Sequence, residues 1–190
     1  EYAGMALMGQ KEKKIVTAGR LMPQKNQKMM IRAFAKVIEE HPDYQLVIYG
    51  DGPSLEELQA SCKELKIENK VVFPGNVKDL HERMKTAELF VMSSDYEGMP
   101  NALIEAMCLG LPAISTKVSG ATDLIIDHEN GILVDLNDQA GFERAMLELL
   151  DDSNLRIKLA QNAVRLNEEL ELSKIMNQWI DFISSIEKQD

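Results

Sequence analysis

Short apolar runs alternate along this chain with longer stretches in which apolar residues recur every three or four positions. The runs Ile15–Ala18, Gln45–Tyr49, Val71–Phe73, Leu89–Met92, Ala113–Ser115 and Gly131–Val134 are short and β-branched or aromatic, and they predict strands. Between them the helical spacing predicts an amphipathic helix near Asn26–Glu40, with Met29, Met30, Ala33, Phe34 and Val37 on one side. Gly50-Asp51-Gly52-Pro53 ends the second strand, and Ser54 with Glu57 has the spacing of a capping box for a helix running to about Leu65. Asp79 is placed to cap a short helix Leu80–Thr86. Asn101–Leu109 predicts another, stopped by Gly110 and Pro112. The Ser119-Gly120 turn and a helical piece at Thr122–Ile126 separate the last two strands. Beyond Asp138 the pattern is wholly helical: Gln139–Leu150, Asn154–Leu166 and Leu172–Ile186.

Strands separated by helices require parallel pairing with right-handed crossovers. Continuously apolar strands fit a sheet covered on both faces. The expected fold is therefore α/β: a Rossmann-like, doubly wound parallel sheet of about six strands with a helical C-terminal tail. No fixed-period repeat and no low-complexity linker interrupts it. A length of 190 residues suits one such domain.

Composition narrows the functional classes. The formal net charge of −10 argues against a sequence-independent nucleic-acid binder, which needs a basic face. An anionic small ligand stays possible, because a few local cations and backbone N–H groups suffice to hold a phosphate pair. Cys62 and Cys108 have no metal or redox spacing, and His41, His81 and His128 are scattered, so no metal site is expected. Both thiols read as buried residues in a reducing compartment, the eleven methionines as core filler. No secretory leader or membrane-length apolar run is present, which makes the cytoplasm the default location.

Ligands of open parallel sheets bind beyond the carboxyl ends of the strands, near the switch in strand order. The segments there are Gly19-Arg20, Gly50-Asp51-Gly52, Pro74-Gly75-Asn76, Ser93–Asn101 and Thr116–Gly120, nearly every unusual loop in the chain. The fourth is the most informative. Glu97-Gly98-Met99-Pro100-Asn101 leads into a helix whose first turns carry Glu105. A helix start attracts phosphate, and Gly98 is expected to let the backbone approach a ligand in a conformation closed to other residues. Pro100 fixes the entry and Asn101 is a suitable cap. Two carboxylates beside a phosphate must serve other groups, and sugar hydroxyls are the obvious donors. A diphosphate between two sugars would occupy both.

Glu97 and Glu105 lie within Glu-Gly-Met-Pro-Asn-Ala-Leu-Ile-Glu-Ala-Met-Cys-Leu-Gly-Leu-Pro. This stretch resembles the signature of the family-four retaining glycosyltransferases (glycosyl transferases group 1), which have the two-domain GT-B fold. Ala18-Gly19-Arg20 with Lys25-Asn26, Gly50-Asp51-Gly52-Pro53, Val72-Phe73-Pro74-Gly75 and Asn130-Gly131 extend the likeness in order from about Ile15 onward. The resemblance implies that Arg20 and Lys25 contact the donor diphosphate and that Glu97 binds the transferred sugar, making these three the catalytic set. It further implies that Glu105 accepts the ribose hydroxyls, and that Gly52 and Val77 lie near the nucleobase. Gly19, Gly98, Met99, Pro100, Asn101, Ala102 and Leu103 complete the implied donor site.

The substrate implied is a UDP- or GDP-linked sugar used in polysaccharide biosynthesis, with retention of configuration and with no bound metal or other cofactor. Residues 1–14 then read as a lead or interdomain linker remnant, 15–170 as the nucleotide-sugar-binding domain, and 171–190 as a helix that crosses to an N-terminal acceptor-binding domain. The chain starts at Glu1 and holds one α/β unit, so the expectation is a C-terminal half that binds donor without transferring it. Peripheral membrane contact would come through the other half.

Three rival readings are weaker. A non-catalytic assembly module would have lost site residues, and here the set is intact. A dinucleotide dehydrogenase would show Gly-x-Gly-x-x-Gly after the first strand, and none follows it. A glycosidase acid/base pair needs carboxyls facing across a cleft, not flanking a helix start. Asp51 is left out of the site because any tight turn could use it. Asp123 reads as a helix-capping or structural residue, and His128 and Cys108 as structural. Leu172, Ile175, Met176, Trp179, Ile180, Ile183 and Ile186 share one face of the last helix.

Overall fold

Alternate residues of every strand but the edge strand Val71–Gly75, where Val72 is 39% exposed, are buried on opposite sides, which requires two covering layers. In the computed structural model, which describes residues 3–7, 9–171, 173, 174, 176, 177, 179 and 180, the strands are β1 (Lys14–Ala18), β2 (Gln45–Tyr49), β3 (Val71–Gly75), β4 (Leu89–Met92), β5 (Ala113–Thr116) and β6 (Ile132–Val134). They form one parallel sheet in the order β3-β2-β1-β4-β5-β6. Ile15, Leu46, Ile48, Leu89, Val91 and Ile114 face a core built with α1 (Gln27–Glu40), α2 (Leu55–Glu64) and α6 (Gln139–Asp151). Val16, Val47, Phe90, Met92 and Ala113 face the other core, built chiefly with α4 (Asn101–Leu109). This period-two split between two dry faces is why the strands carry no polar alternation.

The remaining helices are α7 (Ser153–Ala163) and the short α3 (Leu80–Met84), α5 (Ser119–Thr122) and α8 (Leu166–Glu169). The amphipathic stripe of α1 is as expected, with Met29, Met30, Ala33, Phe34 and Val37 all buried. Its start differs slightly. Pro23–Lys25 forms a 3-10 turn, and Asn26 takes a left-handed φ of 47° before the helix proper begins.

Several end assignments are corrected. Ser54 is itself helical, so its hydroxyl cannot reach back to cap α2, and Glu57 pairs with Lys28 instead of closing a capping box. Asp79 sits at the α3 N-cap but accepts from Arg83 Nε at 2.8 Å, leaving the helix N–H groups uncapped by a side chain. Asn101 is the first residue of α4 and not its cap, because Pro100 already occupies that position. The Ser119-Gly120 pair does not turn the chain. It opens α5, which ends at Thr122, four residues short of the predicted end. The predicted helix to Leu166 divides into α7 and α8. Of the last predicted helix, Met176, Trp179 and Ile180 are more than half exposed. Leu172, Ile175, Ile183 and Ile186 lie outside the described residues.

Candidate functional site

Reversal of strand order, from β3-β2-β1 to β4-β5-β6, leaves a crevice beyond the carboxyl ends of the parallel strands β1 and β4. The loops after these two strands meet there and are tied together. Ser93 Oγ donates to the carbonyls of Lys25 (2.9 Å) and Asn26 (3.0 Å). Asn26 Nδ2 donates to Asp95 Oδ1 at 2.8 Å, Asp95 N to Gln24 O at 2.9 Å, and Gln24 Nε2 to Tyr96 O at 3.2 Å. Thr116 Oγ1, at the end of β5, holds the same loop through Ser94 O at 2.6 Å.

Two adjoining cavities open here, of about 320 and 350 Å3, sharing Ala18, Gly19 and Leu80. The first is bounded by Lys25, Glu97 and Met99–Ala102, with Glu105 farther along α4. Lys25 Nζ donates to Glu97 Oε1, which also accepts from Ser94 Oγ at 2.7 Å. The Glu97 side chain is only 9% exposed, so this lysine and hydroxyl offset most of its desolvation. Glu105 is more open, and His81 Nε2 lies 3.2 Å from its Oε2. The second cavity carries Arg20, Asp51, Asn76 and Val77. Arg20 is exposed, with Nη1 3.8 Å from Met22 Sδ, and is thereby free of any carboxylate among the described residues.

The sequence-read residues are thus largely brought together, with three exceptions. Leu103 is fully buried in the core under α4, where its side chain cannot meet a ligand. Gly52 lines neither cavity. A Cβ there would stand 2.3 Å from the Leu21 carbonyl oxygen, so its role is to let two loop backbones touch. Its neighbour Asp51, excluded by the sequence reading, forms part of the wall instead. Gly98 does not take a left-handed φ, and a Cβ on it would meet nothing within 4 Å. It leaves open space in front of the loop and does not supply an unusual backbone turn. His81 was missed, and Ser94 and Asn76 lay within the loops named at this edge but were not singled out as site residues. Only their fold neighbours mark them, since none belongs to a local pattern.

Chemically, the site pairs two cations with backbone amides at the start of α4 and two carboxylates flanking them. Such a set suits a phosphate-bearing ligand with hydroxyl groups at either end. Among the described residues no three His, Cys, Asp or Glu side chains gather to hold a metal ion. No described helix is long and apolar enough to cross a membrane.

The sequence profile of glycosyl transferases group 1 matches residues 6–165. The chain belongs to this family. It is 32% identical over 179 residues to a Campylobacter jejuni α-1,4-N-acetyl-D-galactosaminyltransferase named for a diphospho-undecaprenol-linked glycan, covering 93% of this chain and 49% of that protein. Among solved structures it resembles the C-terminal domain of a group 1 glycosyltransferase from Francisella tularensis (TM-score 0.77, 25% identity, covering 85% of this chain and 87% of that one). Anabaena HepE, solved in complex with UDP-glucose, gives a TM-score of 0.83 at 25% identity, covering 92% of this chain and 49% of HepE. This group 1 chain spans about half the length of the curated relatives it matches.

Proposed function

We propose that this chain is the donor-binding domain of a retaining, metal-independent glycosyltransferase that acts in the cytoplasm. In this reading it binds a nucleoside-diphosphate sugar, and transfer requires an N-terminal domain that brings the acceptor. The observation that carries the reading is the convergence of Lys25, Glu97, the α4 start and Glu105 on one cleft at the strand-order switch. The family membership and the UDP-glucose complex of the similar HepE support it.

The roles follow from charge. Cleaving the glycosyl–phosphate bond concentrates negative charge on the departing diphosphate, so Arg20, Lys25 and the α4 amides stabilise the transition state more than the bound substrate. Glu97 accepts hydroxyls of the transferred sugar, and Glu105 those of the ribose. The base lies along the second cavity, past Asn76 and Val77. His81, beside Glu105 on the neighbouring helix, positions that carboxylate.

Titration calorimetry against UDP, GDP, ADP and their sugars tests the proposal on the folded domain. Saturable binding of one nucleotide family is expected, and its absence for all of them overturns the reading. Glu105→Gln should weaken the free nucleoside diphosphate about tenfold, the scale of one charge-assisted hydrogen bond. Glu97→Gln should leave the free nucleotide nearly unchanged while weakening the nucleotide sugar by a similar factor. Equal losses for both ligands in both variants would refute this division. His81→Ala should lower ribose discrimination, read as the affinity ratio of nucleotide to 2′-deoxynucleotide, and should add little to Glu105→Gln in the double variant.

A further inference from the structure

A separate cleft of about 320 Å3 opens at the opposite edge of the sheet, where β1, β4 and β5 begin. Lys11, three residues before β1, reaches into it and donates to the carbonyls of Lys85 (3.0 Å) and Ala87 (2.9 Å), just past the end of α3. Glu88 and Arg156 also line the cleft. The Glu88 carboxylate is already engaged: Tyr44 Oη donates to its Oε2 at 2.7 Å, and Arg156 Nη2 lies 3.3 Å from the same oxygen. Among the described residues no carboxylate forms an ion pair with Lys11. Leu7, Pro112 and Ile157 give the cleft an apolar wall.

The two carbonyls favour the charged ammonium, while partial burial without a paired carboxylate, in a cleft that Arg156 also lines, opposes it. A protonated lysine has three N–H groups, and the protein supplies two acceptors. Losing one proton leaves both of these bonds in place and turns the nitrogen lone pair away from the carbonyls. Burial outweighs these acceptors, pushing the ammonium down to about 8 against a weaker upward pull from Glu88. An amine with a lone pair at near-neutral pH, in a cleft with an apolar wall, is a nucleophile placed to take a small acyl group.

We propose that Lys11 is an acylation site whose amine takes an acyl group from an acyl phosphate. The lone pair attacks the acyl carbon and the N–C bond forms. The C–O bond to phosphorus breaks, and inorganic phosphate leaves with its electron pair. One amine proton passes through solvent to that phosphate. The amide retains one N–H for a carbonyl at the end of α3, and the acyl chain lies against the apolar wall.

The wild-type protein supplies its own controls. Glu39 and Asp135 hold the exposed Lys36 and Lys117 ammonium groups above the ordinary lysine value, so these amines stay protonated. The protein is incubated with acetyl phosphate between pH 7 and 9, and initial rates are read at each lysine by peptide mapping and mass spectrometry. Lys11 should acylate about tenfold faster than Lys36 or Lys117 at pH 8, its larger neutral fraction outweighing its lower basicity and partial burial. Its rate should level off above pH 8, and the preference should vanish in urea. A Lys11 rate no higher than those of Lys36 and Lys117 overturns the proposal. So does a preference that survives unfolding, which would put its cause in the local sequence.

Discussion

Replacing Arg20 and Lys25 together by methionine is expected to weaken nucleoside-diphosphate binding by about a hundredfold or more. Each side chain would lose a charge-assisted contact of about 1.5–3 kcal/mol, and each 1.4 kcal/mol is a factor of ten. Methionine keeps most of the apolar stem while removing the charged head, so packing of the stem changes little. Lys25 carries a second consequence. Its removal leaves Glu97, among the described residues, with only Ser94 as a side-chain partner in a position 9% exposed, which adds uncompensated negative charge beside the proposed diphosphate site. Calorimetry at low and high salt separates the contributions. The wild-type affinity should fall with salt while that of the double variant stays nearly flat, and the nucleoside without phosphates should bind both proteins alike. A double variant that held the diphosphate as tightly as wild type would move the phosphate site elsewhere.

Gly120→Ala should produce a large structural effect from a single added methyl group. Gly120 lies on α5, packed against the loop that leads into α4. A Cβ there would stand 2.2 Å from the Gly98 carbonyl oxygen and 2.6 Å from Pro100 Cδ. Neither neighbour can swing aside, one being backbone and the other a ring. The loop carrying Glu97 must shift or the domain loses about 3 kcal/mol or more, the scale of overpacking in a dense interior. Gly98→Ala is the matched control, since its Cβ meets nothing and its φ is not left-handed. It should stay within about 0.5 kcal/mol of wild type in urea denaturation. Equal midpoints for the two variants would contradict the packing account.

The six strands, their parallel sense and the edge holding the site were legible because each rests on a local signal repeated along the chain. Periodicity marks a strand such as Leu46–Ile48, and the crossover rule does the rest. The cluster Glu97–Glu105 was legible because its parts are adjacent in sequence. Caps were read poorly, since a side chain caps only when its own backbone is not yet helical, and Ser54 and Asn101 both are. Leu103 illustrates another limit: inside a motif on a helix, neighbours alternate between cleft and core, and the likeness that included Leu103 does not tell which side its side chain takes. His81 escaped notice because its relation to Glu105 depends on α3 and α4 packing side by side, 24 residues apart in sequence. The Lys25–Glu97 pair spans 72 residues and exists only because β1 and β4 are neighbours in the sheet.

The bonds that join Gln24, Lys25 and Asn26 to Ser93, Asp95 and Tyr96 bear on how the enthalpy of ligand binding would respond to temperature. Loops that fold onto a ligand lose freedom at the moment of binding, and that coupled ordering gives a large negative heat-capacity change. Here the two loops are already cross-linked by hydrogen bonds within the domain, so little chain remains to be ordered. Binding to this face should therefore carry a small heat-capacity change, set by the surface the ligand covers, and its enthalpy should stay nearly constant as the solution warms.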